Sequence, residues 1–249
     1  MLDEIDEDPK TEDSTEYDNN VYTAGRIGRL NVVIACLPAG QQGDGAAARV
    51  AKDMVRSFRA IKIILLVGVG GGVPGLKLEG VSGDVRLGDV VVSLPTKNSA
   101  AVVQYDYGKS LEGRRFVRSR GSLSKPPEAA LAAVANLRAN HEMEGNKIAD
   151  HVSEMVSKYP RMARYARPGP GNDRPFKASY AHKSRDEPCD RCCSFDAANL
   201  LDRLDRDELP VVHYGTIGSA SQVMKDGVLR DEWAKEESII CFEMEAAGD

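Results

Sequence analysis

The chain has 249 residues, 42% of them apolar and 29% charged, with a formal net charge of -5 and an isoelectric point near 5.5. That length allows one large domain with a real core. The acidic balance argues against a nucleic-acid partner, which calls for a basic surface. No run of about 18 apolar residues occurs, so no membrane span is expected.

Residues 1–20 carry nine acids against one lysine and lack the basic, apolar pattern of a secretion signal. They read as a mobile, solvated tail ahead of a domain over 21–249. With no secretion signal, the reducing cytoplasm is the expected compartment, and the five cysteines are expected to be free thiols. Cys36 and Cys241 lie in apolar, strand-like runs, where a free thiol acts as a small core residue.

The run 31–37 (NVVIACL) predicts a buried strand and is followed by the glycine-rich turn PAGQQGDG. A helix comes next, its face formed by Ala47, Val50, Ala51, Met54, Val55 and Phe58. Residues 61–68 (IKIILLVG) are too continuously apolar for a half-exposed strand. Strand, helix and apolar strand together predict a βαβ unit in a parallel sheet covered on both faces. Further strands are expected at Val90 to Leu94, Ala101 to Tyr105, Pro210 to Ile217 and Ser238 to Phe242. Helices are expected at Pro127 to Met143, over 148–159 and over 229–237. Residues 167–193, rich in Pro, Gly, Arg and Asp, read as a surface insertion. No internal repeat is visible, and alternating strands and helices favour a single α/β domain.

After the apolar run comes GVGGGVPG, in which Gly70, Gly72 and Gly75 formally satisfy a dinucleotide fingerprint, with Asp89 downstream. That reading fails, because Pro74, Gly75, Gly80 and Gly83 fall where the phosphate-facing helix must begin. Gly70, Gly71 and Gly72 can still let a ligand approach the backbone at a strand's C-terminal end. A tight turn with no ligand fits the glycines alone equally well.

LLVGVGGGVPG, GDVRLGDVVVS, VVHYGTIGSASQVMKDG and CFEMEAAG follow one another in that order. Together they resemble the nucleoside phosphorylase superfamily over about residues 20–249. The match is nearest to the phosphorylase-like domains that fungi place at the front of large signalling proteins, which also carry a VVQYDYGK-like segment. The resemblance implies a three-layer α/β/α fold with a mixed, parallel-rich central sheet. It also implies cleavage of the N-glycosidic bond of purine nucleosides. Carried over, Glu245 would hold the ribose hydroxyls and Met244 would pack under the sugar. Gly70, Gly71 and Gly72 would line the ribose and nucleophile pocket, and Ile217, Gly218 and Ser219 the base pocket. Glu243 joins them as part of the same motif. No cofactor is implied, but phosphate is a co-substrate in the phosphorolytic members. The small-molecule partner would be a nucleoside, and by analogy the protein would be a homo-oligomer.

The chemistry is consistent with these roles. Glycosidic cleavage passes through an oxocarbenium-like sugar. A carboxylate that accepts hydrogen bonds from the vicinal hydroxyls fixes the ring and favours the developing charge. The competing reading is that Glu243 and Glu245 simply favour a helix N-terminus. Two departures from the family bear on the reaction. Leu66 and Val69 stand where phosphorylases carry an arginine and a hydroxyl residue, and Arg86 more readily starts a strand than substitutes for them. Water is therefore favoured over phosphate as nucleophile. The segments that supply the family's water-activating carboxylate and base-protonating Asp should lie before residue 20 and beyond Asp249. The chain thus reads as truncated at both ends, and weak catalysis or a binding and signalling role is the alternative expectation.

Other features have plainer readings. Cys189-x-x-Cys192-Cys193, with His182 upstream, offers one clear ligand pair where zinc needs four ligands, so no metal is expected. His213 reads as a satisfied core or pocket-lining histidine. Trp233 reads as core or interface. Arg114, Arg115, Arg118 and Arg120 read as a solvated loop.

Overall fold

The structure is a computed structural model. It describes residues 2–6, 17–78, 81–97, 99–112, 116–118, 123, 125–184, 186–207 and 209–248. The fold is α/β with a mixed, parallel-rich central sheet, compatible with the three-layer arrangement. Its axis is formed by β11 (Val212–Ser219) and β12 (Ile239–Glu243), which run parallel. β12 is apolar up to its terminal Glu243, with Ile239, Ile240, Cys241 and Phe242 all buried, and β11 buries His213, Gly215, Thr216, Gly218 and Ser219. Such strands can lie only at the centre of a covered sheet.

One edge of β11 is taken in two pieces. β7 (Val90–Ser93) pairs with Val212 to Gly215, and β8 (Val102–Gln104) pairs with Ile217 to Ser219, both in parallel. The excursion between them is pinned by Leu94 N–H donating to Gly215 O and by Thr216 Oγ1 donating to Ala100 O. On the far side, β4 (Gly71–Gly72) pairs antiparallel with β12. The hairpins β5 (Leu76–Leu78) with β6 (Val81–Gly83), and β9 (Gly108–Ser110) with β10 (Phe116–Arg118), stand apart.

Helix α5 (Gly227–Glu237) precedes β12. Asp226 caps it, accepting from Val228 N–H and Leu229 N–H at 2.9 and 3.0 Å. It ends on Ser238 in the left-handed region, φ 57°. Ala234 and Trp233 pack on Val73, Val103, Tyr105, Ile239 and Phe242, where Tyr105 meets Phe242 edge-on at 5.3 Å. Trp233 is therefore a core residue. α2 (Glu128–Glu144) and α3 (Ile148–Lys158) match their predicted spans and bury no residue fully. α2 reaches the sheet through His141, whose Nδ1 lies 3.1 Å from Tyr214 Oη, and through Arg138 above the Tyr214 ring.

The predicted βαβ unit at the front does not form. β2 (Tyr22–Ile27) and β3 (Leu30–Ala35) make an antiparallel hairpin, and β1 (Glu4–Asp6) adds to it. Part of the acidic stretch is thus a paired strand, with Leu2 buried, rather than a mobile tail. Residues 7–16 lie outside the described residues. β3 is the edge strand of this three-stranded antiparallel sheet rather than a buried central strand, and Cys36 beyond it is exposed, not a core residue. α1 (Asp44–Ser57) packs on this hairpin, but its buried face is Ala46, Ala47, Val50, Asp53 and Ser57, which leaves Val55 exposed. Polar contacts set that rotation: Asn20 Nδ2 donates to Val50 O at 2.9 Å, and Ser57 Oγ donates to the Asp18 carboxylate.

The run 61–68 forms no strand; Leu65 is 77% exposed and Val67 88%. Continuous apolarity calls for burial but does not supply a partner. Among the described residues, the hairpin that could have flanked this run pairs with β1 instead. The basic run's Arg114, Arg115 and Arg120 lie outside the described residues. No helix among the described residues is long and apolar enough to cross a membrane.

At the N-terminal ends of β7 and β11 lies a buried ionic hub. The Asp89 side chain is fully buried and accepts from Arg86 N–H, Val211 N–H, Arg206 Nη1 and Nη2, and His213 Nε2, at 2.8–3.0 Å. His213 is the satisfied core histidine that its apolar strand predicted, 3% exposed. Burial alone would raise the Asp89 pKa, but the bonds from His213, Arg206 and the two backbone amides hold it well below the usual carboxylate range.

Two predictions follow from this core. Phe242→Ala should lower the free energy of unfolding by ~3–5 kcal/mol, while Leu65→Ser should change it by less than ~0.5 kcal/mol, read by urea denaturation. Because the folded pKa of Asp89 is depressed, its contribution is complete above the ordinary carboxylate range and is lost as pH falls through the lower, folded value. Asp89→Asn should therefore cost stability at pH 7 and flatten the acid limb of the stability curve. An unchanged acid limb would show that the hub contributes nothing.

Candidate functional site

The four parallel strands of the sheet end on one side, and this C-terminal edge gathers most of the residues singled out from sequence. The register sets Ile217 beside Cys241, Gly218 beside Phe242 and Ser219 beside Glu243, while Gly71 and Gly72 lie opposite Phe242 and Cys241. Segments from Gly71 to Glu243 thus converge at one edge. The fit is close at the glycines. A Cβ on Gly70 would lie 2.5 Å from Cys241 Sγ and 3.0 Å from Phe242 O, and one on Gly218 would lie 2.8 Å from Ile239 Cδ1. Side chains at these positions would force the strands apart.

Glu243 is the acid nearest the glycine turn, its Cβ 3.8 Å from the Cβ that Gly70 lacks. Its Oε2 accepts from Glu245 N–H at 2.8 Å and Ala246 N–H at 3.0 Å, capping the 3-10 turn Ala246–Gly248. Its Oε1 is buried with no hydrogen-bond partner among the described residues. A buried carboxylate oxygen left in this way costs free energy, unlike the satisfied oxygens of Asp89. Ser219 is fully buried, and its hydroxyl is occupied, accepting from Ala247 N–H at 2.9 Å.

Glu245 turns elsewhere. Its Oε1 accepts from Gly43 N–H at 3.3 Å and its Oε2 from Met244 N–H at 3.2 Å. Gly43 is the residue before α1, so this carboxylate faces the positive end of that helix and links the front hairpin layer to the sheet edge. The glycine-rich PAGQQGDG turn is therefore a wall of the site, which sequence reading treated only as a connection. The signal available was its position, immediately before a helix whose first amides need acceptors. Met244 is half-buried between the two acids.

Cys241, expected in the core, is buried there, and burial followed by the charge of Glu243 pushes its thiol up to about 11. It is therefore an inert packing group rather than a nucleophile.

The opposite edge of the sheet holds a shallow cleft of about 150 Å³ lined by Arg86, Arg167, Arg203 and Arg206 among others. Its cations are engaged: Arg86 with Asp84 at 2.9 Å, Arg203 with Asp173 at 2.8 Å, Arg206 with Asp89, and Arg167 Nε with Leu87 O. Arg86 lies in the turn before β7 rather than starting a strand as expected, and so sits at the end of the sheet away from the glycine turn. Leu66 and Val69 are exposed.

No protein-family profile matches the chain, and no solved structure matches it. The chain is 35% identical over 238 residues to a nucleotide-binding leucine-rich repeat (NLR)-like protein of Hyaloscypha variabilis. The alignment takes in 95% of this chain and 22% of that protein, so the chain spans about a fifth of its relative's length. The chain is thus a homologue of one part of an NLR-like protein.

Proposed function

We propose that the C-terminal edge of the sheet binds a purine nucleoside, and that the chain serves as the nucleoside-recognising part of an NLR-like signalling protein. The observation that carries this reading is the register that brings Gly71 and Gly72, Ile217 to Ser219 and Glu243 together beside Glu245. Each group has work suited to a nucleoside. Glu245, held by two backbone amides, keeps acceptor capacity for vicinal hydroxyls, since each carboxylate oxygen carries two lone pairs. Gly71, with no atom nearer than 4.0 Å to the Cβ it lacks, leaves backbone open to a sugar, and Ile217 is the half-buried side chain that would face a base. The homology to part of an NLR-like protein supports the signalling half of the proposal.

Hydrolysis of the N-glycosidic bond is the second reading, favoured by Glu243 Oε1, a buried acceptor with no partner among the described residues beside Gly70. There it could take a proton from an attacking water. Water rather than phosphate is the nucleophile in this reading. Arg86 lies at the other end of the strands, and positions 66 and 69 are apolar.

Calorimetry with adenosine should show binding to the wild type that falls about 10- to 100-fold in Glu245→Gln, the loss of charge-assisted bonds worth ~1.5–3 kcal/mol. Equal affinity in both proteins would remove Glu245 from the site. Incubation with adenosine, inosine and guanosine separates the two readings: free base released without phosphate supports hydrolysis, and Glu243→Gln should then abolish release while leaving binding in place.

A further inference from the structure

Residues 175–201 form a loop closed on itself. Lys177 N–H donates to Asn199 O and Leu201 N–H to Pro175 O, and Phe176 bridges to Leu200. Its interior is thin: Phe176 stacked on Tyr180 at 4.8 Å, with Phe195 beside it. Three rings are a small core for a loop of this length, and small cores are commonly reinforced by cross-links or metals.

At the tip of the loop, three ligand-type side chains meet. His182 Nε2 lies 3.4 Å from Cys192 Sγ, and Cys192 Sγ lies 3.6 Å from Cys193 Sγ. One ligand atom from each of the three falls within 4.8 Å of the others. Cys189, one helical turn before Cys192 and Cys193 on α4 (Cys189–Cys192), interacts with the Cys193 thiol. Tetrahedral zinc, with bonds of ~2.3 Å to sulfur and ~2.0 Å to nitrogen, sets two sulfurs ~3.8 Å apart and a sulfur and a nitrogen ~3.5 Å apart. The observed spacings are those of part of such a shell, set by His182 and the adjacent pair Cys192 and Cys193, with Cys189 hydrogen-bonded to Cys193 as the fourth donor.

We propose that His182, Cys189, Cys192 and Cys193 form a structural zinc site that clips the tip of the 175–201 loop. Sequence spacing alone shows a single pair; the fold supplies the other two ligands by bringing His182 back to α4 and turning Cys193 inward. Thiolate and imidazole donors select zinc over hard cations, and a full set of four protein ligands marks a structural rather than a catalytic site. Binding releases the thiol protons to solvent and leaves the zinc oxidation state unchanged. The ion substitutes for the apolar core that the loop lacks. The loop leads directly into Arg203 and Arg206, so ordering it steadies their pairing with Asp173 and Asp89.

The full chain, purified under reducing conditions, should contain one zinc per molecule by mass spectrometry. Replacement by cobalt should give the visible ligand-field bands of a tetrahedral ion together with thiolate-to-cobalt charge transfer. Cys192→Ser and His182→Ala should each weaken zinc retention about 10- to 100-fold, whereas Cys36→Ser should leave it unchanged. A wild-type cobalt complex without thiolate charge transfer would overturn the proposal, whatever the folding of the variants. So would zinc held equally by Cys192→Ser, or thiol titration showing a disulfide among the three cysteines in the protein as purified.

Discussion

A single carboxylate fixes the geometry from which everything else in the sheet follows. Asp89 stays charged in the interior because five donors surround it, two of them backbone amides at the entrances to β7 and β11. A charge so placed costs several kcal/mol unless it is fully paired. The hub therefore tolerates few arrangements, and the one it selects starts both strands at the same level. β7 ends beside Gly215 and β8 takes over the same flank to Ser219, so the exits of β8, β11 and β12 make the far edge of the sheet.

The two edges have opposite electrostatic characters. At the strand entrances, the arginines are paired with acids, and Arg206 Nε is buried with no hydrogen-bond partner among the described residues. At the strand exits, acids dominate and one oxygen of Glu243 is left over. Unsatisfied polar atoms in a buried place are rare and are more at home in a site than in a scaffold. Glu245 adds a mechanical connection: by accepting from Gly43 N–H it joins the α1 layer to the sheet at the edge itself. In the proposed reading, a ligand that competes for that carboxylate also acts on the contact between layers.

The chain exposes 17602 Å², against ~11,000 Å² for a compact globule of its mass. The front hairpin, α2 and α3 touch the core through polar contacts more than through buried apolar faces, so the layers are joined rather than fused.

The strands β7, β8, β11 and β12 and the helices α2, α3 and α5 were legible in the sequence. Each depends on local apolar pattern, turn chemistry or capping, and Asp226 and Pro127 mark helix starts without outside help. The candidate site residues were named through a resemblance to a known family, carried by EMEAAG and the triple glycine, and not by local pattern alone. Tertiary structure decided whatever needed a partner distant in the chain. The run at 61–68 carries the composition of a buried strand and is none, because a strand exists only when a neighbour offers its hydrogen bonds. Residues 31–35 found β2 instead of a crossover, and Asp18 and Asn20 rotated α1 away from its apolar stripe. Glu245 met Gly43, and His182 met Cys192, across separations that no periodicity encodes. Sequence determined which segments had to be covered and which residues could do chemistry; only the fold chose their partners, because hydrophobic burial has no direction while hydrogen bonds and ion pairs do.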